Sequence, residues 1–264
     1  MKKIVLIIFA ALITMGASLQ CASISDSSYS WYCNRHKDNL QPPLPGEFSF
    51  VDDYNTLWLN KYRRDNDERK VAYLTFDAGY ENGNVEKILD VLKEKNTPGA
   101  FFVLQNLIDT NPELIIRMTN EGHTVCNHTA HHKDMTKITN IEDFGKELQE
   151  LSDSYRNLTG KDMAMYYRPP EGKFTRQNLE LAKDLGYTTV FWSFAYADWD
   201  NSKQPRIEYA KKKVLDNIHN GAVILLHPTS STNAEILGDI IDEMREKGYE
   251  FSTLDELSKE MLQN

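Results

Sequence analysis

VAYLTFDAGYENGNVEKILDVLKEK, Val71 to Lys95, is the stretch on which the fold turns. VAYLTF is apolar on alternate and intervening positions alike, so it reads as a strand buried on both faces. The strand ends on the carboxylate of Asp77, and the chain turns at Gly79. NVEKILDVLKEK then carries Val85, Ile88, Leu89 and Leu92 at the spacing of one helical face. A strand covered on both sides and followed at once by an amphipathic helix is half of a βαβ unit, which implies a parallel sheet between helices.

The same rhythm runs to the C-terminus. GAFFVLQ (Gly99 to Gln105) reads as a strand, and Asn111-Pro112 caps and opens the helix of ELIIRMTNEG, which Gly122 ends. HTVCNH is the third strand. A long helix follows, with Ile141, Phe144, Leu148, Leu151, Tyr155 and Leu158 stepping by threes and fours. MAMYYR, TTVFWSF, AVILLH and EFSTL supply further strands, separated by the helical patterns QNLELAKDLG, IEYAKKKVLDNIHNG and AEILGDIIDEMREKG, with a terminal helix closing the chain. About seven such units predict an α/β fold, an irregular (β/α) barrel of parallel strands; a doubly wound open sheet is the alternative.

Upstream of residue 71 the pattern is different. MKKIVLIIFAALITMGAS has two lysines, an uncharged run from Ile4 to Met15 and then small residues, the order of a secretory signal. The run is short for a membrane-spanning helix, which needs about 20 residues. We expect a signal peptide over 1–23, an extension over 24–70 packed on the barrel through Trp31, Tyr54, Trp58 and Tyr62, and a catalytic domain over 71–264. The expected address is extracytoplasmic, secreted or held by an uncleaved signal. A formal charge of −9 with no basic stripe to offset it argues against a nucleic-acid partner. Cys33 and Cys126 do not make a disulfide framework, and Cys126 reads as a buried free thiol.

The polar residues that carry chemistry collect at one end of the strands. Asp77 ends the first, His128 and His132 follow the third, and Arg168 ends the fourth. Asp198 and Trp199 follow the fifth, and His227 ends the sixth. In barrels and open parallel sheets the carboxyl ends of the strands form the active face. His128-Thr-Ala-His-His132 puts two imidazoles four residues apart, which on a helical turn share a face and can bind one metal; His131 then points elsewhere. Arg168 leads into a rigid Pro-Pro, after which Glu171 and Gly172 can present N–H groups to an oxyanion. A base, two metal-binding imidazoles, an arginine, an oxyanion donor and an acid make the set needed for metal-assisted hydrolysis of an acyl bond.

TFDAG, HTAHH, RPPEG, ADW and ILLH, in that order, resemble the NodB-type polysaccharide deacetylases of carbohydrate esterase family four, over about Val71 to Leu254. The resemblance implies that Asp77 is the catalytic base, Arg168 the residue that holds it, His227 the acid and Asp198 the carboxylate that tunes His227. It implies His128 and His132 as ligands of a divalent metal, zinc by expectation. Ala78 stands where the family usually has the third protein ligand, and Ala195 where its fourth motif has an Asp. The departure at Ala78 points to weaker zinc binding than a full ligand set would give.

The longer string DAGYENG is similar to the branch that acts on N-acetylmuramic acid in spore-cortex peptidoglycan. It implies deacetylation of peptide-free glycan strands to give muramic δ-lactam, prior stripping of the peptide by an amidase, and a place in the intermembrane space or cortex of a developing spore. Tyr80, Trp192 and Trp199, with Glu171, are the expected sugar-binding positions. The competing expectations are an N-acetylglucosamine deacetylase and, in another class, a catalytically retired glycan-binding protein.

Overall fold

The structure is a computed structural model and describes residues 27–263 except 37 and 65. The expected signal peptide lies outside the described residues. The described residues form ten strands: β1 (Tyr29–Ser30), β2 (Thr56–Leu57), β3 (Lys70–Ala78), β4 (Ala100–Val103), β5 (Thr124–Asn127), β6 (Tyr166–Tyr167), β7 (Lys173–Phe174), β8 (Thr188–Val190), β9 (Ala222–Leu226) and β10 (Tyr249–Phe251). Eight of them form one parallel sheet. It runs β9–β3–β4–β5–β6–β8–β2, and β10 pairs with the first residues of β3. The helices are α1 (Val85–Glu94), α2 (Gln105–Thr110), α3 (Pro112–Asn120), α4 (Ile141–Thr159), α5 (Arg176–Asp184), α6 (Ile207–Leu215), α7 (Ser231–Glu246) and α8 (Leu254–Gln263).

The architecture is the irregular (β/α) barrel, and β3 shows why its strands read as unbroken apolar runs. Ala72, Leu74, Phe76 and Ala78 pack outward into the layer formed with α1, α3 and α7, while Val71 and Tyr73 join the inner cluster with Phe102 and Cys126. Successive side chains of a strand point to opposite faces, so both faces must be apolar when both are covered. Thr75 and Asp77 continue the inward-facing row toward the carboxyl end, where the barrel opens.

Local signals set the helix ends. Pro112 occupies the first turn of α3, Asn140 caps α4 by accepting from the Asp143 N–H, and Thr175 with Asn178 forms a reciprocal capping box on α5. Two expectations needed correction. Gln105 is the first residue of the short helix α2 rather than the end of a strand, and MAMYYR contributes only Tyr166 and Tyr167 to the sheet. Six residues of helix and two of strand are too short for hydrophobic periodicity to register.

The N-terminal extension enters the barrel itself. β2 pairs in parallel with β8, Leu59 bridges Ala222 of β9, and β1 pairs with β7. Trp31 stacks on Phe191 with ring centroids 4.3 Å apart, and Phe48, Phe50, Trp58 and Phe174 complete that cluster. A parallel bridge from Phe194 to Ile224 also reaches β9, so single contacts span the gap between the two ends of the sheet.

Gly221 is the hinge of this closure. Its N–H donates to the Val71 carbonyl at 2.7 Å, its carbonyl accepts from the Asn60 N–H at 2.9 Å, and its φ is +79°. A Cβ there would lie 2.6 Å from the Asn60 carbonyl oxygen. Gly221→Ala therefore meets both a left-handed backbone and a backbone clash, and it should lower unfolding stability by about 2–4 kcal/mol. Urea unfolding followed by circular dichroism measures this, and an unchanged midpoint would show that the extension is not fastened at this point.

Candidate active site

At the carboxyl end of the barrel a cavity of about 630 Å3 is lined by Asp77, His128, His132, Trp192, Trp199 and His227, among others. They arrive from four strand ends, Asp77 from β3, His128 and His132 after β5, Trp192 and Trp199 after β8, and His227 after β9, at the rim that the sequence pattern predicts. Asp77 sits on the inward row of β3 and receives the Arg168 Nη1–H on its Oδ1 at 2.7 Å. Arg168 is fully buried. Its Nε donates to the Val190 carbonyl at 3.0 Å, its Nη2 donates to Thr75 Oγ1 at 2.9 Å, and its guanidinium lies 4.0 Å from the centroid of the Phe102 ring. Burial disfavours charge on Asp77, but Arg168, His128 and His227 outweigh it and hold the carboxyl below its ordinary range. Asp77 is thus ionised at neutral pH with one oxygen tied down and the other facing the histidines.

The two imidazoles meet, though not on a helical turn. Residues 128–132 form a bend in which Thr129 and His132 both have left-handed backbone, with φ of 73° and 53°. This geometry brings the His128 and His132 rings to a centroid separation of 5.1 Å at 71°. The Asn127 side chain accepts the Thr129 N–H, and Thr129 Oγ1 accepts the His132 N–H, so local polar side chains hold the strained backbone. His131 points away, onto Glu147 and Glu150 of α4. His128 donates from Nδ1 to the Arg168 carbonyl at 2.8 Å, which leaves Nε2 facing Asp77 Oδ2 at 3.6 Å. Burial pushes the His128 pKa down to about 4, so its ring is neutral, the form that binds metals.

Two converging imidazoles beside a carboxylate suit a divalent cation. Ala78 adds no donor and is fully buried in the apolar layer, and no group of three or more His, Cys, Asp or Glu side chains is arranged to hold a metal among the described residues. The residues therefore fit a cation held by two histidines.

Opposite Asp77, His227 forms a pair with buried Asp198. Its Nδ1–H donates to Asp198 Oδ1 at 2.8 Å and its backbone N–H to Oδ2 at 2.9 Å. Asn233 of α7 donates to the same Oδ2 at 2.6 Å, and Tyr196 donates its hydroxyl to Asn233. Thr75, Tyr196 and Asn233 did not stand out in the sequence. The signals were a lone hydroxyl inside an apolar strand and a Ser230-x-x-Asn233 cap, both of which have ordinary structural uses.

The expected sugar-binding positions divide. Trp192, Trp199 and Glu171 line the cavity, and Trp199 is 61% exposed with its ring 6.4 Å from His227. Tyr80 does not line it; its hydroxyl accepts from Asn201 outside. The Gly172 N–H is also committed, donating to the Pro169 carbonyl at 3.0 Å, which removes it as an oxyanion donor. Cys126 is a buried free thiol facing the barrel interior, and Cys33 is free as well.

Burial opposes charge on His227, but the hydrogen bond and charge of Asp198, with the charge of Asp77, raise its pKa. Asp198→Asn removes a carboxylate that favours the imidazolium. The His227 titration midpoint should consequently move to lower pH, read from the imidazole NMR shifts; an unmoved or higher midpoint would separate Asp198 from the control of that ring.

Residues 64–190 match the family model described as polysaccharide deacetylase. The chain is 38% identical to the peptidoglycan-N-acetylmuramic acid deacetylase PdaA of Bacillus subtilis, over 99% of this chain and 98% of that protein. It is 33% identical to the peptidoglycan-N-acetylglucosamine deacetylase PgdA of Listeria monocytogenes, over 72% of this chain and 39% of that one. A solved structure of Bacillus subtilis PdaA, a family 4 carbohydrate esterase, superposes with a TM-score of 0.83 at 37% identity, covering 89% of this chain and 98% of the other. Family 4 deacetylases are generally metal-dependent. With the barrel and the ordered site residues, these likenesses show that the chain belongs to the polysaccharide deacetylase family, carbohydrate esterase family 4.

Proposed function

We propose that this protein removes the N-acetyl group of N-acetylmuramic acid in peptide-free peptidoglycan. The observation that carries the reaction is the pairing across one cavity of an ionised carboxylate on a buried arginine with a histidine whose pKa is raised by a buried carboxylate. One partner can accept a proton and the other can supply one, as acid–base hydrolysis of an amide requires. The likeness to PdaA along the whole chain supports the muramic substrate, and the likeness to PgdA supports N-acetylglucosamine as the alternative.

In this mechanism Asp77 takes a proton from the attacking water as its oxygen bonds to the acetyl carbonyl carbon. Arg168 keeps Asp77 ionised and fixes its orientation. His227, protonated, gives its proton to the amide nitrogen as the C–N bond breaks, so that acetate and a free amine leave. Asp198 holds the His227 ring by Nδ1, which turns Nε2 toward the cavity. His128 and His132 would hold a divalent cation, zinc by our reading, which when bound lowers the pKa of water and polarises the carbonyl. Trp192 and Trp199 offer ring faces to the sugar. On muramic acid the freed amine can then close on the lactyl carboxylate with loss of water, giving the δ-lactam of spore cortex. That closure requires the carboxylate to be free of peptide, so an amidase acts first. This substrate places the protein outside the cytoplasmic membrane; no helix among the described residues is long and apolar enough to cross one.

Three experiments test the reading. Glycan with and without peptide stems, incubated with the protein and zinc, should lose acetyl groups only from muramic residues of the bare strand, as read by mass spectrometry. Loss confined to glucosamine would overturn the substrate, and loss from neither would favour a retired glycan-binding protein. Asp77→Asn should reduce kcat by at least about a thousandfold while the protein stays folded, because it removes the proton acceptor. His132→Ala should weaken zinc binding by at least about tenfold in calorimetric titration of the protein alone, with one of two imidazole ligands gone. Unchanged affinity would place the cation elsewhere.

A further inference from the structure

Among the described residues, no lysine or arginine lines the cavity that holds Asp77 and His227. The muramic substrate proposed above carries a carboxylate on its lactyl ether, close to the acetamido group. A cation to receive it must therefore stand at the margin of the cavity. Three margins offer one.

On the first, Lys173 is already paired with Glu171 at 2.6 Å. On the second, beyond Trp199, Lys203, Arg206 and Lys212 share their groove with Asp200 and Glu208, and Lys212 pairs with Asp216 at 2.7 Å. The third is different. A neighbouring cavity of about 420 Å3 shares Trp192 and Ala195 with the catalytic one, and Tyr32, Cys33 and Arg35 of the N-terminal extension form its far wall. Arg35 donates from Nη2 to the Ala195 carbonyl at 2.8 Å, and its guanidinium lies 5.7 Å from the centroid of the Phe194 ring. A carbonyl and a ring face orient the guanidinium without neutralising it, and the side chain is exposed. One of its five N–H donors is used by the carbonyl, which leaves a fork of the kind that binds carboxylates.

The wall behind it is rigid. Trp31 Nε1 donates to the Trp192 carbonyl at 2.8 Å, Cys33 Sγ donates to the same oxygen at 3.2 Å, and Trp31 is stacked on Phe191. The extension thus fixes the arginine against the segment that separates the two cavities. Residue 195 is an alanine, so no carboxylate from that position competes for the guanidinium.

We propose that Arg35 is a substrate-binding residue that receives a muramic carboxylate across the Trp192–Ala195 wall, and so selects peptide-free glycan. Amide-linked peptide would remove the charge that Arg35 reads. The proposal deepens the muramic reading and rests on it.

The test compares kcat/KM of the full chain on two peptide-free glycans, one native and one with its lactyl carboxylates converted to primary amides. The wild-type protein should prefer the native glycan by about tenfold through KM, the scale of a charge-assisted hydrogen bond at an exposed site. In Arg35→Gln that ratio should fall toward one, and Arg35→Lys should recover part of it. Ala195→Asp, which sets a carboxylate beside the guanidinium, should lower the ratio with Arg35 still present. A wild-type ratio retained in Arg35→Gln, or an equal loss on both glycans, would overturn the assignment. Which sugar loses its acetyl group in the wild-type reaction is read from the same digests. Acetyl loss from glucosamine alone overturns the muramic reading, whereas the charge ratio judges Arg35, so the two failures are separable.

Discussion

Arg168 is a fully buried guanidinium, and four strands of the barrel converge on it. It leaves β6 and ties Asp77 and Thr75 of β3 to the main chain at the end of β8, with the Phe102 ring of β4 against its face. An isolated charge in such a place is strongly unfavourable; a carboxylate partner and three further acceptors, Thr75 Oγ1 and the Val190 and Phe191 carbonyls, offset that cost. The same contacts fix Asp77 in one rotamer and keep it ionised. The Arg168 backbone carbonyl also accepts from His128, so one residue orients the carboxylate and one of the two imidazoles. Structure and chemistry depend here on a single satisfied buried ion pair.

The opposite half of the site is built on a parallel plan. Asp198 is buried and fully engaged by the His227 ring, the His227 main chain and Asn233, so a fixed negative charge sits behind the imidazole. One side of the cavity thus carries a carboxylate held ionised by a cation, and the other an imidazole encouraged to charge by an anion. Two groups whose environments push their proton affinities apart are suited to opposite roles in one reaction. Between them the two histidines stand on a bend, not a helix, and the backbone strain of Thr129 and His132 is balanced by hydrogen bonds that their N–H groups donate to the Asn127 and Thr129 side chains.

The N-terminal extension belongs to both fold and site. It supplies β2 to the sheet, fastens to β9 through Asn60 and Gly221, and brings Arg35 to the wall of the cavity. A segment that reads as irregular because its strands are two residues long becomes an edge of the barrel once its aromatic side chains dock. Trp31, Phe48, Phe50 and Trp58 bury together with Phe174 and Phe191 of the main domain, and this burial supplies the driving force that the short strands lack.

The sequence by itself determined the order of the longer strands and helices from Val71 onward, because period and caps are local and each such element carries its own. It also determined that Asp77, His128, Arg168, Asp198 and His227 end or follow strands, and a parallel sheet obliges strand ends to share a rim. What only the tertiary structure decided is which neighbours complete each group. Tyr80 follows Asp77 by three residues yet turns away from the cavity, whereas Arg35, more than forty residues upstream of Asp77, reaches its margin. Thr75 of β3 became a partner of Arg168, which follows β6, and Asn233 of α7 a partner of Asp198. Such contacts depend on register and on packing across the barrel, and no pattern within a window of sequence records them.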